Sequence, residues 1–375
     1  MNAAPVPIGV LVGTWLPPSE TFVYDQLTQA RRTVGFVCAR RRLPEVETRF
    51  PYDRVCTLDR PGELVFKWTR NAPRFTQYWR SAGVKLIHAH FGTNGAHALD
   101  IADRLDVPLV VSFHGHDVAG LERKNRFALR YFQYQMLEAR LWQRASLLLC
   151  ASADLAVRLV EEHGAPAERV VVHRLGVDLT RFAFEHRARS ARTVLSVGRL
   201  VEKKGLEYGL AAFARALPAI APARYRIVGD GPLRGELRRR ARDLGIADAV
   251  DFIGALSHDA VRAEMRAADA LLCPSVTARD GDLESGVLVI KEAAATGLVA
   301  IGSAHGGIGE IIDDEQTGFL APERDVAALA RRLVDTFTDP ELRERLGRAA
   351  SQKMAVEYDT RLQNAKLESL LLDCL

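Results

Sequence analysis

Three features that mark particular protein classes are missing from this 375-residue sequence. No apolar run approaches the roughly 18 residues that a membrane-spanning helix needs, and the N-terminal stretch MNAAPVPIGVLVG lacks the basic region of a secretion signal. The five cysteines are scattered, without C-x-x-C spacing or a Cys/His cluster, so the sequence predicts no zinc site. These absences predict a cytoplasmic protein in a reducing compartment, with membrane contact limited to its surface.

The composition that is present fits a globular protein of two domains. Hydrophobic residues make up 48% and charged residues 26%, and the length exceeds that of a single ordinary core. The net charge of +4 is unevenly spread, since residues up to Ser190 carry +7 and the remainder −3. A basic first half indicates an anionic partner there, such as a membrane surface or a phosphorylated ligand. An Arg-rich genome is the alternative explanation.

Short β-branched runs alternate with longer amphipathic stretches along the whole chain. Because these runs are apolar throughout, they indicate parallel strands covered on both faces, as in doubly wound α/β domains. Several of them end in Gly, Ser or His, at the edge where open parallel sheets bind ligands. The predicted strands are 8–13, 33–39, 85–90, 108–115, 146–152, 169–173, 193–199, 225–231, 250–254, 270–275 and 298–302.

The pattern of strands restarts near residue 192, after a polar and charged segment, 183–192, that is typical of a linker. The sequence therefore predicts two doubly wound domains, 1–185 and 186–355, whose carboxyl sheet edges face each other across a cleft. Residues 356–375 are predicted to form a terminal helix that packs back on the first domain.

Two glycine-containing loops of the second domain are candidate phosphate sites. In GRLVEKKG (198–205), Arg199 and Lys204 follow a strand and precede a helix, which suits a diphosphate. A solvated charged turn is the alternative. The stretch IVGDGPLRGEL (227–237) almost matches the dinucleotide fingerprint, but its last glycine spacing is one residue too long, so an ordinary strand-to-helix turn remains open.

The stretch DGDLESGVLVIKEAAATG (280–297) holds two pairs of acids. Asp280 and Asp282 form a D-x-D, which we interpret as a turn rather than a metal site. A helix is expected to start near Gly286 or Val287, with Glu284 just ahead of it. Glu292 is then expected about two turns in, which puts the two carboxylates around 10 Å apart, the extent of a nucleotide sugar. An N-cap acid with a surface Glu is the alternative.

The first domain places histidines at the ends of two adjacent predicted strands. HAHFG (88–92) and FHGHD (113–117) contribute His88, His90, His114 and His116, beside Asp117. Histidines at this edge face the ligand side of the sheet, and the charge of a histidine is the most easily tuned near neutral pH. A structural role and a zinc site are the alternatives. After the first strand, the polar group Ser19, Glu20 and Thr21 is expected to cap the following helix.

The order and spacing of these motifs resemble the retaining glycosyltransferases of family 4, which have the GT-B fold. The resemblance covers nearly the whole chain and is nearest to members that assemble bacterial exopolysaccharides. Its motifs are SETF, HAHFG, FHGHD, RLGVDLTRF (174–182), GRLVEKKG, VGDGP, VDFIG, the E-x7-E of 284–292 and HGGIGEII (305–312). Val287, Val299 and Gly309 depart from residues common in the family without removing a functional group.

The resemblance implies a role for each candidate residue. The first domain would be the acceptor side and the second would bind the donor. Catalytic roles would fall to His114, beneath the donor sugar, and to Glu284, near the reacting carbon. The donor diphosphate would be held by Arg199, Lys204 and the backbone amides of Gly286, Val287, Leu288 and Val289. Glu292 would bind the ribose, and Phe252 with Ile253 would frame the base. The acceptor-side candidates are Glu20, Thr21, His90 and Asp117.

The resemblance also implies a reaction and its partners. A hexose would pass from a UDP- or GDP-sugar to a hydroxyl of a saccharide or lipid-linked saccharide, with same-face attack and without a metal or another cofactor. Nucleic acid is not expected as a partner. The basic and aromatic segments 66–80 and 123–144 either face anionic lipid at the inner membrane surface or are ordinary cover helices. A nucleotide-sugar epimerase and a non-catalytic binding subunit are the alternative functions.

Overall fold

The computed structural model describes residues 4–17, 20–43, 50–119, 121, 131–185 and 192–375. The chain divides into two compact units: unit 1 comprises Met1–Leu175 with Arg361–Leu375, and unit 2 comprises Gly176–Thr360. The segment after Leu175 belongs to unit 2 because Val177 forms a β-bridge with Asp359, and the amide of Val177 donates to the carbonyl of Tyr358 at 2.7 Å. Most of the predicted linker, 186–191, lies outside the described residues.

Unit 1 is built on a seven-stranded parallel sheet in the order β3-β2-β1-β4-β5-β6-β7. Its strands are β1 Val6–Trp15, β2 Thr33–Arg42, β3 Val55–Thr57, β4 Leu86–His90, β5 Leu109–Phe113, β6 Leu147–Cys150 and β7 Val170–Val172. Its first seven helices are α1 Phe22–Thr28, α2 Arg60–Thr69, α3 Pro73–Ser81, α4 Gly92–Leu105, α5 His116–Ala119, α6 Phe132–Arg144 and α7 Ala153–Glu161. The central strands β4 and β5 are buried along their whole length, as expected for parallel strands covered on both faces.

Unit 2 has a six-stranded parallel sheet in the order β10-β9-β8-β11-β12-β13, with one hydrophobic core on each face. Its strands are β8 Thr193–Val197, β9 Arg224–Val228, β10 Val250–Gly254, β11 Ala270–Cys273, β12 Val299–Ser303 and β13 Phe319–Ala321. Its helices are α8 Leu206–Ile220, α9 Arg234–Asp243, α10 His258–Ala267, α11 Leu288–Ala295, α12 Ile308–Ile311, α13 Val326–Thr338 and α14 Pro340–Glu357.

The predicted fold class is confirmed, because both sheets are parallel and carry the strand order of doubly wound domains. Each predicted strand is present within one or a few residues of its expected bounds. The sequence missed β3 and β13, which are three-residue strands at the edge of their sheets and too short to show a period. The strand order reverses between β1 and β4 in unit 1 and between β8 and β11 in unit 2, which is where such folds bind ligands.

The last helix, α15 (Thr360–Leu372), packs on unit 1. Its Glu368 carboxylate accepts hydrogen bonds from the backbone amides of Arg31, Arg32 and Thr33 at 3.1, 2.9 and 2.8 Å, and from the Thr33 hydroxyl. These amides start β2, so one buried carboxylate ties the end of the chain to the sheet. Among the described helices, none combines the length and the apolar composition needed to span a membrane.

We expect Glu368→Ala to lower the free energy of unfolding by about 1–3 kcal/mol, because it removes the carboxylate that accepts four part-buried hydrogen bonds at the start of β2. Ser369→Ala is the matched control, since it removes only an exposed bond with Arg32 at 3.3 Å and should change stability by less than about 0.5 kcal/mol. Urea unfolding of both variants measures the difference. Equal stabilities would contradict the assigned anchor.

Candidate functional site

The carboxyl edge of the unit 2 sheet is shaped by close approaches that only glycine permits. A Cβ on Gly205, which has φ of +57°, would lie 1.8 Å from the carbonyl oxygen of Pro274. A Cβ on Gly229, with φ of +129°, would lie 1.9 Å from the carbonyl oxygen of Gly198. The loops after β8, β9 and β11 therefore meet at the point where the strand order reverses.

A largely buried ion pair occupies this meeting point, with the Glu284 side chain 7% exposed and that of Lys204 18%. The ammonium of Lys204 lies 2.6 Å from Oε1 of Glu284, and the hydroxyl of Ser275 donates to the same oxygen at 3.1 Å. Burial opposes both charges, but mutual attraction outweighs it, so the pKa of Lys204 is raised and the pKa of Glu284 is lowered. The two candidates that the sequence assigned to different parts of the donor are thus direct partners.

Arg199 follows β8 on the same loop as Lys204. Its side chain is exposed and forms no ion pair with a carboxylate among the described residues. The next cation, Lys203, is instead paired with Asp282 at 3.0 Å. The loop therefore offers an anion the guanidinium of Arg199 and those N–H donors of the Lys204 ammonium that do not face Glu284.

The D-x-D forms a turn, as expected. Asp280 Oδ1 accepts the amide of Asp282 at 3.1 Å, and the Asp282 carboxylate is neutralised by Lys203. In the part of the chain that the structure describes, no group of three or more His, Cys, Asp or Glu side chains converges as metal ligands would.

Helix α11 begins at Leu288, one or two residues later than expected, and Val287 at its N-cap forms no side-chain cap. Four backbone amides at its start, which include those of Leu288 and Val289, have no partner within the helix. Gly286 and Val287 precede this end directly. Glu292 is half-buried and lies only about one turn into the helix, so the expectation of two turns was wrong.

The base-binding candidates lie on the edge strand β10. Phe252 and Ile253 are half-buried, and their side chains pack against opposite cores of the sheet. The guanidinium of Arg238 lies 5.7 Å from the centre of the Phe252 ring. Since β9 separates β10 from β8 and neighbouring strands are about 4.8 Å apart, both residues lie roughly 10 Å from the Arg199 strand.

His305 and Glu323 contribute contacts at this site that the sequence did not predict. The amide of Glu284 donates to His305 Nε2 at 3.2 Å, and His305 Nδ1 lies 3.0 Å from Glu323 Oε2. A histidine two residues after β12 was a usable signal, because histidines near strand ends are also the candidates in unit 1. The partner Glu323 comes from a distant loop and could not be found by spacing.

In unit 1, three of the four predicted histidines cluster at the ends of β4 and β5. His90 Nδ1 lies 3.3 Å from His114 Nε2, and the two rings stack with centres 5.5 Å apart. His88 Nε2 lies 2.8 Å from the hydroxyl of Ser112. His116 lies outside the cluster and contacts the Tyr131 hydroxyl at 3.1 Å.

Burial keeps the clustered histidines neutral. It lowers the pKa of His88 and His114 to about 3, helped by repulsion from neighbouring histidines, and holds the pKa of His90 well below its usual range. Nδ1 of His114 is buried without a hydrogen-bond partner among the described residues. This edge therefore offers a neutral imidazole with one unsatisfied nitrogen.

Asp117 holds this histidine loop in place. Its carboxylate accepts the amides of Gly92, His114 and Gly115 at 2.8, 3.1 and 2.9 Å, and the residue is 2% exposed. The oxygens are therefore used to fix the ends of β4 and β5.

The remaining acceptor-side candidates lie beside α1. Burial raises the pKa of Glu20 to about 7. Thr21 takes the N-cap position without a side-chain cap, because its backbone is already helical there, so the expected cap was wrong for this residue. Ser19 lies outside the described residues. The ring of Phe22 packs 4.9 Å from that of His114.

The two basic and aromatic segments are partly core. Most of their described aromatic side chains are buried, among them Phe75, Trp79 and Trp142, whereas Trp68 is 59% exposed. Residues 122–130 lie outside the described part of the chain. Cover helices thus account for most of the aromatics, and an exposed remainder stays available for other contacts.

We expect the stability of unit 1 to fall with acidification below about pH 6.5, since histidines with lowered folded pKa values bind protons more readily when unfolded. His88→Asn removes one such group and should lower the slope of unfolding free energy against pH by about 1.4 kcal/mol per pH unit below pH 6. Urea unfolding between pH 4.5 and 7.5 measures the slope. Ser112→Ala removes the same hydrogen bond without removing a titrating group, so a slope that also falls in this control would contradict the explanation.

Comparison with known proteins identifies the family. The group 1 glycosyl transferase family matches residues 180–353, and the glycosyl transferase 4-like domain matches residues 21–176. The putative colanic acid biosynthesis glycosyltransferase WcaL of Salmonella typhimurium is 34% identical over 291 residues, which cover 76% of this chain and 69% of WcaL. The amylovoran biosynthesis glycosyltransferase AmsK of Erwinia amylovora is 32% identical over 259 residues, 66% of this chain and 60% of AmsK.

The structural comparison agrees with the family. HepE of Anabaena, solved in complex with UDP and glucose, aligns over 98% of this chain and 100% of its own with a TM-score of 0.80 and 19% identity. Identity at that level shows the fold alone. Together with the sequence relatives, these findings show that the chain is a glycosyltransferase and belongs to family 4, with the GT-B fold.

Proposed function

We propose that the protein transfers a hexose from a nucleoside-diphosphate sugar to a hydroxyl of a saccharide or lipid-linked saccharide in bacterial polysaccharide assembly, with retention of configuration. The observation that carries this proposal is the buried Lys204–Glu284 pair at the reversal of strand order in unit 2, beside the exposed Arg199. The names of the relatives support the polysaccharide context, and the HepE complex with UDP and glucose supports a UDP-sugar donor.

The donor diphosphate is proposed to bind Arg199, Lys204 and the start of α11. An ammonium has three donors, and Glu284 takes one of them, so two remain for phosphate oxygens. Negative charge on the diphosphate grows as the sugar departs, and these cations together with the amides at the helix start would stabilise the transition state more than the bound donor.

Glu284 is proposed to bind the donor sugar near the reacting carbon. Both of its described side-chain contacts fall on Oε1, which leaves Oε2 for a sugar hydroxyl. Its lowered pKa keeps it an acceptor of hydrogen bonds at neutral pH. Glu292 is proposed to bind the ribose, and Phe252 with Ile253 to frame the base.

In unit 1, the half-buried His114 is proposed to contact the donor sugar. A neutral imidazole suits this contact because it requires no protonation change. His90 and Asp117 would act by holding His114, while Glu20 and Thr21 are proposed to line the acceptor side. Same-face attack, in which the leaving diphosphate takes the acceptor proton, would need no nucleophilic side chain. The pairing of Asp282 with Lys203 supports a metal-independent reaction.

We expect unequal effects from the two glutamates. Glu284→Gln should lower kcat at least about 100-fold with a donor KM within about 3-fold, because the contact matters most at the reacting carbon. Glu292→Gln should raise the donor KM about 10-fold and change kcat little, because ribose binding is uniform along the reaction. Steady-state transfer assays with a panel of UDP- and GDP-sugars and saccharide acceptors measure both.

Arg199→Gln should lower kcat/KM for the donor, whereas Arg279→Gln is the matched control, since Arg279 is a highly exposed guanidinium paired with Glu202 at 3.5 Å. Nucleotide release that requires acceptor supports transfer. Isomerised donor without acceptor would instead indicate an epimerase, and binding without turnover would indicate a non-catalytic subunit.

We also propose that unit 1 docks on an anionic membrane surface, where a lipid-linked acceptor would be met. Supporting this, α2 and α6 expose Leu64, Val65, Trp68, Phe132 and Met136, with exposed fractions between 51% and 68%. The side-chain amide of Gln133 donates to the carbonyl of Trp68 at 2.6 Å, so the two helices meet at this patch. Exposed cations on α2 and α3, Arg60, Lys67 and Arg74, would complement anionic headgroups.

Trp68→Ser should weaken binding to vesicles of phosphatidylglycerol and phosphatidylethanolamine at least about 5-fold, because a large apolar side chain no longer inserts. Val157→Ser is the control, since Val157 is 51% exposed on α7, another helix of the same unit. Co-sedimentation at low and physiological salt measures binding. If the parent protein bound equally well to phosphatidylcholine vesicles without net charge, this surface would be contradicted. Binding that Trp68→Ser leaves unchanged would contradict it as well.

A further inference from the structure

The backbone of Glu284 is held on both sides by hydrogen bonds with the loop that follows β12. Its amide donates to His305 Nε2 at 3.2 Å, and its carbonyl oxygen accepts the amide of Gly307 at 3.0 Å. Between these contacts, Gly306 has φ of +48°, and a Cβ there would lie 2.1 Å from the same carbonyl oxygen. The loop can therefore close on Glu284 only with glycine at this position.

The hydrogen bonds fix the protonation of His305. A backbone amide can only donate, so Nε2 is the acceptor and carries no proton. The proton must then lie on Nδ1, which donates to Glu323 Oε2 at 3.0 Å. The imidazole side chain is 2% exposed, so no water competes for either nitrogen. His305 is thus a neutral bridge of defined direction from Glu323 to the amide of Glu284.

Glu323 is anchored in turn. Its carboxylate accepts the amide and the hydroxyl of Thr277 at 3.0 and 3.1 Å, and it also contacts the guanidinium of Arg324. Burial tends to raise the pKa of Glu323, but the Thr277 hydrogen bonds and the nearby cation outweigh it and lower the pKa. Thr277 and Glu284 belong to the same connection between β11 and α11. Glu323 and His305 therefore fix both ends of that connection.

We propose that His305 and Glu323 are positioning residues that set the direction of the Glu284 carboxylate. The inference rests on the proposed role of Glu284 at the donor sugar. His305 holds the backbone from which the side chain extends to Lys204 and Ser275, so a looser peptide lets the carboxylate move away from the reacting carbon. Displacements of about 1 Å at a reacting centre are enough to cost large factors in rate.

Two substitutions of His305 separate its two hydrogen bonds. In His305→Gln, the terminal amide oxygen takes the place of Nε2 and can accept the Glu284 amide. In His305→Asn, the amide nitrogen takes the place of Nδ1 and can donate to Glu323, but the side chain is too short to reach Glu284. Glu315→Gln is the control, since Glu315 is an exposed carboxylate of unit 2 that pairs with Arg332 at 2.6 Å.

We expect His305→Asn to lower kcat at least about 10-fold with a donor KM within about 3-fold, and His305→Gln to recover most of the rate. Hydrogen exchange of the Glu284 amide should be at least 10-fold faster in the Asn variant and near the parental rate in the Gln variant. This exchange measurement uses the intact protein and does not depend on transfer activity. Thermal unfolding of all variants detects a general loss of structure.

Specific results would overturn the inference. Unchanged exchange in His305→Asn would do so whether or not transfer is detected. Faster exchange in His305→Asn with a parental kcat would also overturn the inference. Equal losses of rate and of melting temperature in both His305 variants would overturn it too. Failure of the proposed function looks different: the parent would transfer no sugar, or Glu284→Gln would be fully active, whatever the exchange of the amide.

Discussion

The ion pair between Lys204 and Glu284 is the interaction around which unit 2 is organised. Two opposite charges removed from water are costly unless each is held in good geometry and given further hydrogen bonds. The glycines at 205, 229 and 306 allow backbones to approach closely enough to enclose the pair. Ser275 and the His305 loop then fix the carboxylate side. Most of the contacts described at this edge therefore stabilise the ion pair.

In both units, buried side chains at the carboxyl ends of the strands accept hydrogen bonds from backbone amides. In unit 1 the Asp117 carboxylate collects backbone amides from two loops, and in unit 2 the neutral His305 and the Glu323 carboxylate do so. Loops at a sheet edge lack the ladder that satisfies backbone groups within strands. Buried side chains that accept hydrogen bonds from these amides take the place of the ladder. They hold neighbouring groups such as His114 and Glu284 in defined positions.

The parallel strands were predictable because their apolar character is local and continuous, as in β6 and β11. Edge strands β3 and β13 were not, because three residues show no period and their pairing partner supplies the hydrogen bonds. At the site, Arg199, Lys204, Glu284 and His114 stood out as chemistry-bearing residues at strand ends. The predicted cap at Thr21 and the predicted depth of Glu292 in α11 were wrong, since each depends on the position of a helix start to within one or two residues.

The sequence by itself determined the fold class, the placement of the candidate residues at the carboxyl edges of the sheets and the family, because each follows from hydrophobic pattern and motif order. Only the tertiary structure decided that Lys204 and Glu284 are partners, that Asp117 binds amides, and that His305 and Glu323 support Glu284. These contacts join residues from separate loops. Hydrogen bonding and charge pairing act over a few ångströms of space, and distance along the chain carries no information about them.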